Sequence, residues 1–365
     1  MTVAIDTRAR ATVRNLATYR PGTSVEEAKK TVQRSSVIKL ASNENALGPS
    51  PRALGALRKA VRFLHRYPDA ACAALRQALA RRLKVHIEQV IVGNGSDELI
   101  VLALRAFVDP GDEVVVAQPT FLIYEIQARA CGASVRVVPL RHFRYDLPAM
   151  RQAITPHTKL VFIANPDNPT GTYVTKRELE AFLRDLPHQT IVFVDEAYAE
   201  FVDASDYPQT LSYVKEHPMI ITRSFSKAYG LAGLRVGYGV AQPSLVASMN
   251  AVREPFNVNS LAQAAALAAL EDREFLARSR RLVKEGRQFL TTELKRLGLR
   301  SVPSVANFIL IELGPRAQEI ANALLTRGVI VREMSAWGLP ECVRVTIGTM
   351  PENSRFIREL TPCLR

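Results

Sequence analysis

From Val90 to Val240 the chain repeats one pattern, an apolar β-branched run of strand length followed by an amphipathic run of helix length, and this alternation leaves few folds open. It predicts strands at Val90 to Val92, Glu113 to Ala117, Val135 to Val138, Leu160 to Ala164, Ile191 to Val194, Met219 to Thr222 and Val236 to Val240. Strands that alternate with helices build an α/β domain around a mainly parallel sheet. Ile191-Val192-Phe193-Val194 has no polar side, as expected of a strand covered by helices on both faces.

The flanks extend this picture. Pro51 to His65 and Ala71 to Lys84 read as helices leading into the sheet, the first opened by Pro49 and Pro51. Beyond Pro255 come long helices, Leu261 to Leu270 and Asp272 to Leu297, then strands at Phe308 to Ile311, Val329 to Arg332 and Cys342 to Ile347. A chain of 365 residues exceeds what one hydrophobic core serves. The expected organisation is therefore an N-terminal arm at 1–35, a large domain at 36–255 with a seven-stranded sheet flanked by helices, and a smaller α+β domain at 256–365.

Apolar residues at 47% leave no room for a disordered reading, and no apolar run reaches the length of a membrane span. The arm carries Arg8, Arg10 and Arg14 without a secretory signal's apolar segment, which fits a cytoplasmic protein better than one with a transit peptide. Cys72, Cys131, Cys342 and Cys363 form no C-x-x-C pair, and the histidines are scattered, so neither a disulfide framework nor a metal site is expected. A net charge of +13 raises the question of a nucleic-acid partner. Much of the excess, however, alternates at helical spacing with Phe275, Leu282, Phe289 and Leu290, which marks a solvated helix face. No nucleic-acid partner is expected.

The most specific stretch is Ser224-Phe225-Ser226-Lys227-Ala228-Tyr229-Gly230-Leu231-Ala232-Gly233-Leu234-Arg235, just beyond a predicted strand. A lysine condenses with an aldehyde only as the free amine, a state that partial burial and a neighbouring cation favour. Arg235 supplies such a charge while suiting a phosphate, as do the hydroxyls of Ser224 and Ser226. A surface lysine in a glycine-rich loop is the competing reading of this motif alone. Asp195, at the tip of the Ile191 to Val194 strand, calls for a cation or donor. A pyridinium nitrogen is one such partner and helix capping the plain alternative. Tyr198, three residues on, suits a ring hydroxyl.

Asn165-Pro166-Asp167-Asn168-Pro169-Thr170-Gly171 forms a rigid turn where another strand ends, on the sheet edge where ligands gather. Asn168 is its candidate donor, and a turn asparagine the alternative. Gly93-Asn94-Gly95-Ser96-Asp97-Glu98 joins a strand to a helix whose start suits a phosphate, or is simply a glycine turn with an N-cap. Four segments on four strand ends, each suited to a different part of one cofactor, outweigh any single alternative.

Together these residues resemble the aspartate-aminotransferase superfamily, fold type I of the pyridoxal-phosphate enzymes, over nearly the whole chain. Within it the likeness is to the histidinol-phosphate aminotransferase family. It rests on Leu40-Ala41-Ser42-Asn43-Glu44-Asn45 with Gly48-Pro49-Ser50-Pro51, on Arg66-Tyr67-Pro68-Asp69, on Arg253-Glu254-Pro255-Phe256-Asn257-Val258-Asn259, and on Val331-Arg332 with Cys342-Val343-Arg344-Val345-Thr346-Ile347-Gly348-Thr349.

The resemblance implies that Lys227 carries pyridoxal 5'-phosphate and that Asp195, Tyr198, Asn168, Ser224, Ser226 and Arg235 bind it, with Ser96 and Asp97 in the phosphate turn. Phe121, of Pro119-Thr120-Phe121, takes the stacking position where a tyrosine is often found. Tyr67 is implied to reach the cofactor phosphate of a neighbouring subunit, hence a homodimer. Arg344 and Arg332, with Tyr19 of the arm and Asn45, are implied to hold the substrate. Glu254 replaces a proline common in the family and receives no role.

The implied reaction exchanges an amino group between histidinol phosphate and 2-oxoglutarate in histidine biosynthesis. One guanidinium fork at Arg344 suits both a carboxylate and a phosphate. An aromatic-amino-acid aminotransferase on the same scaffold, a decarboxylase of a phosphorylated amino acid and, from another class, a basic nucleic-acid-binding protein are the rival readings.

Overall fold

A computed structural model describes residues 6–14, 16, 18, 22–32, 36–184 and 186–365. Its strands, in chain order, are β1 (Ile38–Lys39), β2 (Val90–Gly93), β3 (Glu113–Gln118), β4 (Ser134–Pro139), β5 (Thr158–Ala164), β6 (Ile191–Asp195), β7 (Met219–Ser224), β8 (Gly237–Ala241), β9 (Arg300–Ser301), β10 (Phe308–Glu312), β11 (Val329–Ile330), β12 (Arg332–Glu333) and β13 (Cys342–Thr346).

Seven of them form the large sheet in the order β2-β8-β7-β6-β5-β3-β4. β8 alone runs against the others, pairing antiparallel with both β2 and β7. All seven predicted strands are present, and the fold is of the α/β class expected. Alternate side chains explain why both faces are apolar. Val114, Val116, Leu160, Phe162 and Phe193 pack beneath helices Ser96–Phe107, Ile123–Cys131 and Pro243–Ala251. Val115, Val161, Ile163, Val192 and Val194 point the other way, beneath helices Leu147–Gln152 and Lys176–Arg184. A central strand shielded on both sides gains nothing from a polar side chain.

A four-stranded antiparallel sheet, β12-β13-β10-β9, carries the C-terminal part. The expected strand from Val329 to Arg332 is divided between two sheets. Val329–Ile330 pairs in parallel with β1, whereas Arg332–Glu333 pairs with β13, so the chain passes from one ladder to the next at Val331. The 40–45 segment leaves β1, reaches Tyr198 beyond β6 through Asn43 Nδ2 at 3.0 Å, and docks on the C-terminal sheet. Leu40 accepts from Thr346 N at 2.8 Å, and the Asn43 carbonyl accepts from Asn307 Nδ2 at 3.0 Å.

Helix ends follow their capping residues with two adjustments. Ser50 accepts from Ala53 N and Pro51 opens its helix, which stops at Ala60 and continues only as a 3-10 turn, Val61–Phe63, rather than reaching His65. Helix Ala73–Leu83 starts later than expected because Cys72 adopts a left-handed conformation (φ 48°), incompatible with helix at that residue. Asn259 and Asp272 cap the two long helices, Ser260–Glu271 and Arg273–Arg296. No helix among the described residues is long and apolar enough to cross a membrane.

Candidate active site

The carboxyl ends of the parallel strands face a cavity of about 270 Å³. Ser96 reaches it from beyond β2, Phe121 from β3, Asn168 from β5, Asp195 and Tyr198 from β6, and Ser224, Ser226 and Lys227 from β7. Asp97 and Arg235 line it too, and Arg332 and Arg344 enter from the C-terminal sheet. Residues from Ser96 to Arg344 thus meet in one space.

One end of the cavity is a cup of donors. Helix Ser96–Phe107 points its N-terminus inward, and Ser226 N donates to Ser224 Oγ at 3.0 Å, which sets the two serines side by side. Arg235 lies over the cup, with Nη1 3.5 Å from Ser226 Oγ and Nη2 3.2 Å from Asp97 Oδ2. The cup is built at backbone distance. A Cβ on Gly237 would fall 2.6 Å from Ser96 N, and one on Gly95, where φ is +85°, would fall 2.6 Å from Arg235 Nη2. Arg235 itself holds a left-handed backbone (φ 56°), strain of the kind that persists where surrounding structure over-determines a site.

Lys227 projects toward the middle. Its amine lies 3.4 Å from the Ser42 carbonyl and 5.8 Å from the centre of the Tyr198 ring. Burial first, and then the positive charge of Arg344, bring its pKa from 10.5 down to about 8, so a substantial neutral fraction exists near physiological pH. Asp195 stands buried at the strand tip. Its Oδ2 accepts from Tyr124 Oη at 2.8 Å and its Oδ1 from Ala197 N at 3.1 Å. Burial nonetheless raises its pKa to about 6, the sign of a carboxylate whose site is suited to a cation.

Tyr124 had not been singled out in the sequence. It sits one helical turn beyond Phe121, with the two rings edge to face at 5.5 Å, and it stacks on Phe162 at 4.8 Å. Its i, i+3 spacing from Phe121 was the available signal. Asn43 was also missed. It lines the cavity and donates from Nδ2 to the Tyr198 hydroxyl at 3.0 Å, from a left-handed backbone (φ 55°) that asparagine tolerates.

Two expected site residues do not line the chain's own cavity, and a third is not described. Asn45 braces the lysine loop from behind, donating to Lys227 O, Ala228 O and Ser279 Oγ at 3.2, 3.0 and 2.8 Å, and does not line the cavity. Tyr67 is 83% exposed, stacked on Phe256 at 4.7 Å, away from its own chain's cavity. Tyr19 lies outside the described residues. Glu254, without an expected role, pairs with Arg105 at 2.9 Å on the surface.

The opposite wall carries positive charge. Arg344 donates to Ala41 O at 3.0 Å and to Asn168 Oδ1, while Arg332 faces it directly across the β12–β13 ladder. The set combines a cup of donors, the Phe121 ring, an amine of lowered pKa, a buried carboxylate and a positively charged wall. A phosphorylated heteroaromatic aldehyde fits these parts in their order. The carboxylate would meet a ring nitrogen, the cup a phosphate and the amine an aldehyde carbon.

Comparison with known proteins gives consistent results. The family model described as aminotransferase class I and II matches residues 35–360. Histidinol-phosphate aminotransferase of Moorella thermoacetica is 47% identical over 364 residues, covering 99% of this chain and 94% of that protein. Histidinol-phosphate aminotransferase 2 of Pseudomonas fluorescens Pf-5 is 47% identical over 355 residues, covering 96% of each. Among solved structures, histidinol-phosphate aminotransferase of Sinorhizobium meliloti in complex with pyridoxal-5'-phosphate superposes with a TM-score of 0.92 at 29% identity, covering 99% of both chains. A Thermus thermophilus aspartate aminotransferase variant superposes with a TM-score of 0.86 at 26% identity, over 98% of this chain and 100% of that one.

Proposed function

The chain belongs to the class I and II aminotransferases, and from that premise we propose that it transfers an amino group between L-histidinol phosphate and 2-oxoglutarate, giving imidazole acetol phosphate and L-glutamate, with pyridoxal 5'-phosphate held by Lys227. The observation that carries this reading is the placement of Arg332 and Arg344 in one cavity with Lys227 and Asp195, supported by the near-complete likeness to histidinol-phosphate aminotransferases.

Bound pyridoxal phosphate supplies an aldehyde that captures amines and a ring that delocalises the charge left on the substrate carbon. This chain's residues do the rest. Asp195 pairs with the ring nitrogen and keeps it cationic; Tyr198 and Asn168 hold the phenolic oxygen; Phe121 covers the ring. Ser96, Asp97, Ser224, Ser226 and Arg235 hold the phosphate, Asp97 through its place at the helix start rather than its carboxylate, which repels anions. The Lys227 amine, held near pKa 8, would move a proton between the substrate carbon and the carbon that the cofactor's aldehyde supplies. Arg344 grips the anionic end of either substrate, with Arg332 and Tyr19 of the arm beside it.

A homodimer in the cytoplasm completes the proposal. Leu54, Val61, Phe63, Leu64, Tyr67 and Phe256 are exposed, and an apolar patch of this kind suits a subunit contact that takes Tyr67 into the partner's site. The division into an arm at 1–35, a large domain at 36–255 and a small domain at 256–365 belongs to the same reading.

Stopped-flow absorbance of the purified enzyme against histidinol phosphate, phenylalanine and aspartate tests the substrate. The expected outcome is the fastest half-reaction with histidinol phosphate. A phenylalanine rate that exceeds it would transfer the assignment to an aromatic-amino-acid aminotransferase, and release of carbon dioxide would replace it with a decarboxylase.

A further inference from the structure

Arg332 and Arg344 are direct partners across an antiparallel ladder, and both are almost wholly buried, at 9% and 5% exposed. Like charges directly opposite on neighbouring strands repel, the more so when shielded from water. Something in the fold must hold the pair together. Four residues past the end of β12, Trp337 lies 2% exposed with the Arg332 Cζ 5.0 Å and the Arg344 Cζ 6.0 Å from its ring centre. One indole therefore faces both guanidinium groups, within the range where the quadrupole of an aromatic face attracts a cation. Phe308 adds a second face to Arg344 alone, at 5.2 Å.

The local chain is arranged to present that indole. The 3-10 turn Ser335–Trp337 closes with Trp337 N donating to Met334 O at 2.9 Å and Leu339 N to Met334 O at 3.2 Å. Gly338, at φ +74°, ends the turn in a conformation that a side chain would strain. Val302, Leu310, Met334 and Cys342 pack around the ring and fix it behind the arginines. Trp337 does not line the cavity itself.

We infer that Trp337 is a positioning residue: its ring holds Arg332 and Arg344 side by side so that the two project together at a single substrate anion. The inference rests on the reading of Arg332 and Arg344 as the anion-binding pair. It assigns the tetrahedral, doubly charged end of a phosphorylated substrate to both guanidinium groups at once, whereas a planar carboxylate uses one fork. The dependence on Trp337 is accordingly steeper for the phosphorylated substrate than for glutamate.

The chain contains one tryptophan, so its emission reports on this position alone. In the wild-type holoenzyme, titration with inorganic phosphate is expected to change that emission saturably, with a midpoint equal to the inhibition constant of phosphate as a competitor of histidinol phosphate. Trp337→Leu is expected to raise that inhibition constant and the KM for histidinol phosphate by about tenfold, the scale of one desolvated cation–π contact. The KM for glutamate should rise less, kcat should stay within about twofold, and the absorbance of the bound cofactor should not change; Trp337→Phe, which keeps a weaker face, should fall between.

A fold defect alone would lower kcat and cofactor occupancy instead. If Trp337→Leu binds phosphate and both substrates as the wild type does, the positioning role is wrong while the arginine assignment stands. If phosphate neither competes nor alters the wild-type emission, the arginine assignment itself fails. Should the leucine variant not fold, Trp337→Phe decides: wild-type constants in that variant overturn the inference.

Discussion

Tyr124 donates its hydroxyl to Asp195 Oδ2 at 2.8 Å, with both side chains buried and the tyrosine ring stacked on Phe162. This contact holds the carboxylate in one orientation and is the largest influence opposing the burial that raises its pKa.

Removing the hydroxyl with Tyr124→Phe is therefore expected to raise the Asp195 pKa above about 6. A carboxylate that protonates more readily binds a ring cation less well. Affinity of the cofactor-free protein for pyridoxal phosphate should fall about tenfold near pH 6, the scale of one hydrogen bond to a charged group, and recover partly at pH 8. Fluorescence titration at the two pH values measures it; equal affinity for wild type and variant at both would remove Tyr124 from the site.

Lys227 has a pKa shifted in the opposite direction, downward. Its pKa in the fold, about 8, lies below its ordinary 10.5, so between those values the folded protein binds fewer protons than the unfolded chain. This group's contribution to stability of the cofactor-free protein therefore rises with pH across that window. Competitive acetylation should place the amine's midpoint near pH 8. Arg344→Ala should move it upward without restoring 10.5, because burial is the larger cause. A midpoint unchanged by the substitution would separate Arg344 electrostatically from the lysine.

Arg344→Ala should also weaken both half-reactions, because the proposed reading has one guanidinium serve both substrates. The absorbance of the lysine-bound cofactor should remain as in the wild type. Normal rates with either substrate would remove Arg344 from the shared site.

Gly237 tests the cup. A methyl group there meets Ser96 N at 2.6 Å and Gly95 C at 2.9 Å, both backbone, so the helix start must shift. Gly237→Ala should cost about 2 kcal/mol of stability, as overpacking does, and lower the affinity for pyridoxal phosphate more than for pyridoxal. Thermal unfolding and ligand titration check the two parts; equal losses for the two ligands would place the damage outside the phosphate end.

The strands of the large sheet and the lysine loop were legible because their signals are local. A buried parallel strand must be apolar on both sides, and a turn must carry residues its backbone tolerates, so Ile191 to Val194 and Asn165 to Gly171 declared themselves. Cys72 shows the limit of such reading, since nothing in Ala70-Ala71-Cys72 announces the left-handed residue that delays a helix. The Val329 to Arg332 run shows another: it is uniformly strand-like, and only its two different partners divide it.

By itself the sequence determined the α/β sheet, the strand ends that carry chemistry and the lysine that would take an aldehyde, all properties of short segments. Tertiary structure alone decided that Asn43 rather than Asn45 meets Tyr198, that Tyr124 meets Asp195, and that Trp337 faces two arginines. Those partners stand 155 and 71 residues apart in the first two cases, and in the third the indole reaches Arg344 only through the pairing of β12 with β13. Spacing along a chain fixes which face a side chain takes within its own element. Which faces meet is fixed by how the elements pack, and no local period encodes it.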